Sequence, residues 1–337
     1  MAWVDAGTGL VGPLPVGVMA AAVAVALAAD RWWGEPPAWA HPVVAMGRYL
    51  QVMGRWAAPP AGQPATARAA LTRGTFAWLL GAGAVVVLAV GLQAVALAWP
   101  WWAQALWLGL WLKPLLAWRL LRDEVAAVEA ALRQSLAAGR AQVARLVSRD
   151  VAALDESGVR EAALSTLVEN LNDSVVAPLL WFALLGLPGA ALYRFANTAD
   201  AMWGYRGERA GRDWTWAGRW AARADDVLSW LPARLTALLL APGLWGRAWP
   251  RLRAEAGRTP SPNGGWPMAA LALRRGVRLR KPGVYVLHAA GRRPVAADTR
   301  WALQRCGRVV GVLAAVAASV ALGWAAMVGL AAGGGSA

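Results

Sequence analysis

Cysteine, histidine and lysine are nearly absent from this sequence. Its 337 residues include one cysteine, Cys306, two histidines, His41 and His288, and two lysines, Lys113 and Lys281. A single cysteine excludes a disulfide within the chain, and the cysteine and histidine shortage excludes a zinc-ligand cluster. No G-x-x-x-x-G-K-[ST] loop is present, so ATP, if it is used, sits in an unorthodox site. There is no G-x-S-x-G elbow, no H-E-x-x-H helix and no internal repeat. Acidic residues are also scarce, 19 against 34 basic ones, which leaves a net charge of +15.

Apolar residues take the remaining space. The chain is 58% hydrophobic and 16% charged, with a mean hydropathy of +0.40, a balance that excludes an ordinary soluble globule. The 23 tryptophans suit rings seated at bilayer interfaces. In such a chain, arginine-borne charge reads as cytoplasmic loops against anionic lipid rather than as a nucleic-acid footprint.

Four runs approach the ~20 residues needed to cross ~30 Å of hydrocarbon. They cover about 10–29, 75–98, 101–118 and 309–330. The first follows Asp5 with no preceding Lys or Arg, and reads as a span rather than a secretory signal. Lys113 and Pro114 interrupt the third, which suggests a kinked helix with a snorkelling lysine. Arginines crowd the 31–73 loop and the chain from Arg119 onward, whereas the 99–102 turn is uncharged. The positive-inside rule then places both arginine-rich regions in the cytoplasm and both termini outside. Two further runs, 175–192 and 227–245, are broken by Pro and Gly. If both crossed, the 204–226 loop would be translocated with its arginines, so they read as interfacial or re-entrant helices.

The expected fold is therefore all-α and polytopic, with about four spanning helices, interfacial or re-entrant helices and a cytoplasm-facing helical region. It divides into an amino-terminal membrane region (1–121, with the cytoplasmic 31–73 loop), a catalytic region (122–305) and a carboxy-terminal span and tail (306–337). Residues 122–137 suggest a solvated amphipathic helix, and 246–300 an extended loop region with short elements.

Eleven of the 19 acidic residues lie between Asp150 and Asp226. Carboxylates flanked by membrane helices are costly and mark a functional site by default. On a helical wheel for 160–175, Thr166, Glu169, Asn170 and Asp173 oppose a leucine- and valine-rich side. Glu169 and Asp173 repel at i, i+4, and a cation between them removes the repulsion. Oxygen-only ligands suit Mg2+. The plain alternative is a water-facing polar stripe. Tyr193, Asn197 and Asp200 share the next helical face. The 204–226 block holds Tyr205, Arg206, Glu208, Arg209, Arg212, Arg223, Asp225 and Asp226. Guanidinium forks match phosphate oxygens, and paired aspartates match a metal bridging phosphates; a surface ion-pair network is the alternative. The loop 260–267, with Ser261 and Asn263, reads equally as an anion wrap or a structural turn. His41 reads as a cap or packing residue before a catalytic base.

Six ordered blocks carry a resemblance: DRWWGEPPAWAHPVVAMGR, SRDVAALDESGV, VENLNDSVVAPLLW, LYRFANTADAMWGYRGER, RADDVLSWLPARLTALLL and PSPNGGWPMAALA. Together, from about Asp30 to Ala272, they resemble the CobD/CbiB family of cobalamin biosynthesis, the adenosylcobinamide-phosphate synthases. The chain departs from that family's pattern at Val151, Ser174, Ala201, Gly207, Met268 and the segment 279–281. The resemblance implies a bacterial inner-membrane ligase with its active site facing the cytoplasm. It would join aminopropanol, or aminopropanol phosphate, in amide linkage to adenosylcobyric acid, with ATP and Mg2+ and no bound prosthetic group. With no cysteine nucleophile placed for it, an acyl-phosphate route is favoured over a thioester. The expected catalytic residues are Asp150, Glu169, Asp173, Asp200 and Glu208. Expected substrate and phosphate binders are Arg149, Asn170, Asn197, Tyr205, Arg206, Arg209, Arg223, Ser261, Asn263, Trp33 and His41, with Glu169, Asp173, Asp225 and Asp226 on the metal. Within these, Arg206, Arg209 and Arg223 are expected on phosphates, and the front aromatic loop and the 260–267 loop on the corrinoid. The implied partners are the corrinoid, the bilayer and other membrane proteins of the corrinoid pathway. Two rival readings are a different Mg2+-dependent membrane transferase, whose D-x-x-x-D motifs are missing, and a non-catalytic scaffold or transporter. A transporter would distribute its polar residues over two related halves, which this sequence does not show.

Overall fold

The computed structural model describes residues 14–63 and 66–333. The chain enters with α1 (Val16–Trp33), then α2 (Pro42–Ala57), the long α3 (Ala67–Val95) and the short α4 (Trp101–Leu112). The packed helices α5 (Trp118–Leu132) and α6 (Leu136–Ala144) lead to α7 (Glu156–Leu171). A π-helical turn, Asn172–Val176, joins α7 to α8 (Ala177–Trp203). A minimal antiparallel hairpin, β1 (Glu208–Arg209) with β2 (Arg212–Asp213), precedes α9 (Arg219–Leu228), α10 (Trp230–Leu240), α11 (Trp249–Ala256) and α12 (Gly265–Arg275). A second hairpin, β3 (Leu279–Lys281) with β4 (Tyr285–Leu287), leads into α13 (Ala296–Gly333).

The all-α membrane class is what forms. Four helices are long and apolar enough to cross a bilayer: Val16–Trp33, Ala67–Val95, the continuous stretch Glu156–Trp203, and Ala296–Leu330. The set differs from the expected one in its third member. The run 101–118 yields a helix of only 12 residues, about 18 Å long at 1.5 Å per residue. Pro114 ends the ladder, and the chain turns through a short 3-10 segment at Lys113–Leu115. Lys113 does not snorkel. It is buried, with Nζ 3.1 Å from Glu35 and 3.6 Å from Asp30, so a charge group near the end of α1 pins the turn. α4 packs closely on α1 through Gly109, where a Cβ would lie 2.7 Å from the Ala22 carbonyl.

Three other boundaries move. The first run starts as helix at Val16, and its residues 10–13 lie outside the described residues. The division expected at 305/306 falls inside α13. The 246–300 segment is more structured than expected, because α12 buries every residue from Gly265 to Ala272. The 227–245 run forms an 11-residue apolar helix, too short to cross.

α7 is the central helix, buried around most of its circumference. Asp155 caps it by accepting from the Gly158 amide at 2.8 Å. Beyond it the chain folds back. Asp173 and Tyr193 are 20 positions apart, about 30 Å along a straight helix. Instead the Tyr193 hydroxyl lies 3.4 Å from Asp173 Oδ1, and Arg194 Nη1 lies 3.1 Å from the Asp173 carbonyl. The reversal is at Gly186, with φ +67° and ψ −158°, a conformation open to glycine and costly to other residues. The helical ladder breaks there, and the freed Leu187 amide donates to Gln93 Oε1 of α3 at 2.9 Å. The 175–192 run thus turns back on itself at Gly186, one of the glycines that interrupt it.

Gly186→Ala is expected to cost about 1–3 kcal/mol from backbone strain, and Gln93→Leu a similar amount by orphaning a buried amide. Thermal unfolding of the detergent-solubilised chain measures both; unchanged midpoints would contradict the reversal.

Candidate functional site

The fold-back opens a cavity of about 300 Å³. α7 contributes Glu169, the π-helical turn contributes Asn172 and Asp173, and α8 contributes Asn197 and Asp200. Arg206 follows α8, Asp225 and Asp226 come from α9, and Ser261, Asn263 and Gly264 close the rim. The π-helical turn sets the phase. Such single turns recur at functional sites because they re-aim side chains. Here Glu169 and Asp173 face the cavity, whereas Thr166, Asn170 and Ser174 line a separate one on another side of the helix. The wheel had placed Asn170 with the carboxylates, and the structure turns it away.

Neutral donors hold the carboxylates. Asp173 Oδ1 accepts from Asn172 Nδ2 at 2.8 Å and, at longer range, from the Tyr193 hydroxyl. Tyr193 lies 3.1 Å from Ser229 Oγ, and both Ser229 Oγ and Asn197 Nδ2 reach Asp225 Oδ1 at 3.4 Å. Asn197 Oδ1 accepts from Arg194 at 3.3 Å. The chain Asp173–Tyr193–Ser229–Asp225 therefore links the π-helical turn, α8 and α9 across the cavity.

Charge compensation is what sets these acids apart. Elsewhere buried carboxylates are paired: Glu161 with Arg278 and Arg280, Glu129 with Arg160, Asp298 with Arg275 and Arg292. Among the described residues, none of Glu169, Asp173, Asp200, Asp225 and Asp226 has a salt-bridge partner within 4.0 Å. Burial, with the Asp173 and Asp200 carboxylates nearby, pushes Asp225 well above the usual carboxylate range. Burial raises Asp226 as well, against the pull of Arg206. A Cβ at Gly264 would lie 2.9 Å from Glu169 Oε1, so glycine keeps the space beside that carboxylate open. Among the described residues no three His, Cys, Asp or Glu side chains form a ready-made metal cage. The oxygen-only donor set still fits Mg2+, which takes one or two carboxylates and fills its shell with water and phosphate.

Other expected site residues lie elsewhere. Asp150 is exposed and accepts from the Ala152 amide. Arg149 reaches the Arg280 carbonyl at 3.4 Å and does not line the cavity. Glu208 accepts from the Gly62 amide at 3.2 Å. Arg209 stacks on Tyr205, 3.7 Å from its ring centre, and Tyr205 donates to the Ala201 carbonyl. Arg223 lies on the α9 face toward α3, so of the three expected phosphate arginines only Arg206 lines the cavity. Trp33 is exposed at the end of α1. His41 caps α2 through Nδ1 and bonds Glu35 at 3.1 Å. The 260–267 loop is a structural turn, since Ser261 Oγ already accepts from the Asn263 and Gly264 amides. Asn263 is clamped between the Asp226 carbonyl and Arg234, and it lines the same cavity as Arg206. Asn172, Ser229 and Arg234 were missed. Ser229 stands at i+4 from Asp225, a spacing that signals it; Asn172 has no such signal, because the π-helical turn displaces it from the wheel.

The CobD/Cbib protein family model matches residues 23–313. The cobalamin biosynthesis protein CobD of Chromobacterium violaceum is 42% identical over 271 residues, covering 76% of this chain and 79% of that protein. A probable cobalamin biosynthesis protein CobD of Thermococcus kodakarensis is 38% identical over 283 residues, 83% of this chain and 88% of the relative. That of Methanothermobacter thermautotrophicus is 43% identical over 175 residues, and the match spans 50% of this chain and 58% of the relative. No solved structure matches the chain.

The raised Asp225 has a testable consequence. A carboxyl that holds its proton more tightly when folded than when unfolded loses stability as pH climbs from its unfolded value toward its folded one. The loss is about 1.4 kcal/mol for each tenfold difference in proton affinity. Asp225→Asn should therefore raise the midpoint of thermal unfolding at pH 7 in metal-free buffer, and the gain should vanish toward pH 4. A variant less stable than the parent at both pH values would contradict the burial cost.

Proposed function

The chain belongs to the CobD/Cbib family of cobalamin-biosynthesis proteins, and on that premise we propose that its acidic cavity forms an amide bond. The reaction joins aminopropanol, or its phosphate, to the free carboxylate of adenosylcobyric acid at the expense of ATP. The observation that carries this reading is the convergence in one cavity of Arg206 and five carboxylates that have no salt-bridge partner among the described residues.

A carboxylate is a poor acyl donor. Transfer of the ATP γ-phosphoryl group to it gives an acyl phosphate; the amine then attacks the acyl carbon, phosphate leaves and the amine loses a proton. Arg206, exposed at the mouth, takes phosphate oxygens. Asp173 and Asp225, joined through Tyr193 and Ser229, would hold Mg2+, which offsets the negative charge of ATP. Glu169 faces the open space beside Gly264 and is the group we place to take the amine proton. A corrinoid is far larger than about 300 Å³, so only its reacting arm enters and the ring stays outside. The arginine asymmetry supports a cavity mouth on the cytoplasmic side, where ATP is available.

Purified full-length protein in detergent, supplied with adenosylcobyric acid, aminopropanol phosphate and Mg-ATP, is expected to yield the amide by mass spectrometry. Glu169→Gln should slow turnover about 100-fold or more. Arg206→Ala should slow it roughly 10- to 100-fold. Arg223→Ala, on the far face of α9, should change it less than about threefold, as substitutions away from a site do. Absence of the amide, or equal losses from Arg206→Ala and Arg223→Ala, would overturn the assignment.

A further inference from the structure

A further cavity, of about 590 Å³, lies between α3 and α9, on a different face of α9 from the acidic one. α3 contributes one helical face from Leu71 to Leu79, and α9 contributes Arg219, Trp220 and Arg223. The α3 face rises about 12 Å along the helix. It starts before the apolar run that opens at Thr75 and ends inside it, so it passes from headgroup depth into hydrocarbon. Phe76 and Leu79 are 56% and 52% exposed, on a helix long and apolar enough to cross a bilayer.

α9 is held against that end of α3. A Cβ at Gly74 would overlap the Ala217 carbonyl, and Trp220 meets Trp78 of α3 edge-on with ring centres 6.1 Å apart. Trp216 and Trp220 remain partly exposed, as rings at a membrane–water interface do. The cavity therefore has an apolar wall toward the bilayer and a basic wall on the interfacial helix.

The basic wall is uncompensated. Arg219 and Arg223 stand at i, i+4, where like charges repel. Neither has a salt-bridge partner within 4.0 Å among the described residues, and no carboxylate lines the cavity. Arg219 stacks over Trp216, 4.6 Å from its ring centre, which engages the face of the guanidinium and leaves its N–H edge for an acceptor. An anion between the two arginines relieves their repulsion, and guanidinium forks match phosphate oxygens. A zwitterionic headgroup would also bring an ammonium, which no carboxylate on this lining meets.

We propose that this cavity holds the headgroup of an anionic phospholipid of the bilayer, with its phosphodiester on Arg219 and Arg223 and its acyl chains along Phe76 and Leu79. The proposal rests on α3 crossing the membrane and not on the amide chemistry at the acidic cavity.

The test is native mass spectrometry of the full chain in detergent, titrated with dioleoyl phosphatidylglycerol or dioleoyl phosphatidylcholine. The first phosphatidylglycerol is expected to bind about tenfold or more tightly than phosphatidylcholine, and the double variant Arg219→Gln/Arg223→Gln to lose that preference. Arg251→Gln/Arg253→Gln, which removes the same charge from exposed positions on α11, should change it less than about threefold. Thr72→Trp fills the cavity from an exposed position on α3 and keeps both arginines. It should weaken phosphatidylglycerol binding as the double variant does, which guards against misfolding of the latter. Equal binding of the two lipids, equal losses from the α9 and α11 variants, or binding that Thr72→Trp leaves unchanged would overturn the site. Glycerol phosphate binding as tightly as phosphatidylglycerol would overturn the lipid as its occupant.

Discussion

The reversal of the chain at Gly186 is the constraint on which the site depends. Without it, α7 and α8 would continue as a 48-residue apolar stretch, and Asp173 would stand far from Tyr193, Asn197 and Asp200. With it, a helix that is buried for packing reasons and a limb that carries polar groups lie side by side. Gln93 of α3 holds the turn by taking the amide that the reversal frees, so a spanning helix and the site share one hydrogen bond. The π-helical turn at Asn172–Val176 then rotates the carboxylates of α7 toward the returning limb.

Bringing like charges together in a buried place is unfavourable. The chain has arginine in plenty, and it neutralises Glu129, Glu161 and Asp298 with it. Around the cavity it uses hydroxyls and amides instead: Tyr193, Ser229, Asn197 and Asn172 orient the oxygens without cancelling their charge. The cavity concentrates carboxylates that an incoming cation can satisfy, and burial raises the proton affinity of Asp225 and Asp226. Arg194 has the opposite character: it secures Asp173 from behind through its backbone carbonyl, not through its carboxylate.

Local pattern and composition made much of this legible. Composition identified a helical membrane protein, glycine and proline marked 175–192 as an interrupted run, and the blocks at 168–173, 197–200 and 225–226 supplied the walls of the cavity. What could not be read depended on distant partners. The run 101–118 looked long enough to cross, but Lys113 is drawn to Asp30 and Glu35, residues far earlier in the chain. Asn170 sits about 100° round α7 from Glu169, and with Thr166 it lines a separate cavity. Arg209 and Arg223 had the right chemistry, yet a tyrosine ring holds one and the other faces α3. Asn263 looked free in a turn and proved to be a clamp whose partners, Asp226 and Arg234, lie about thirty residues away.

That α7, α8 and α9 build a single cation-phosphate centre is tested most directly by titrating Mn2+, as a spectroscopic substitute for Mg2+, into the detergent-solubilised chain with ATP and counting bound ions by electron paramagnetic resonance. One shared centre predicts that Asp173→Asn and Asp225→Asn each weaken the same bound Mn2+ about tenfold or more, and that the double variant is little worse than either, as for residues acting in one network. Independent, additive losses, or a bound ion indifferent to Asp173→Asn, would contradict it.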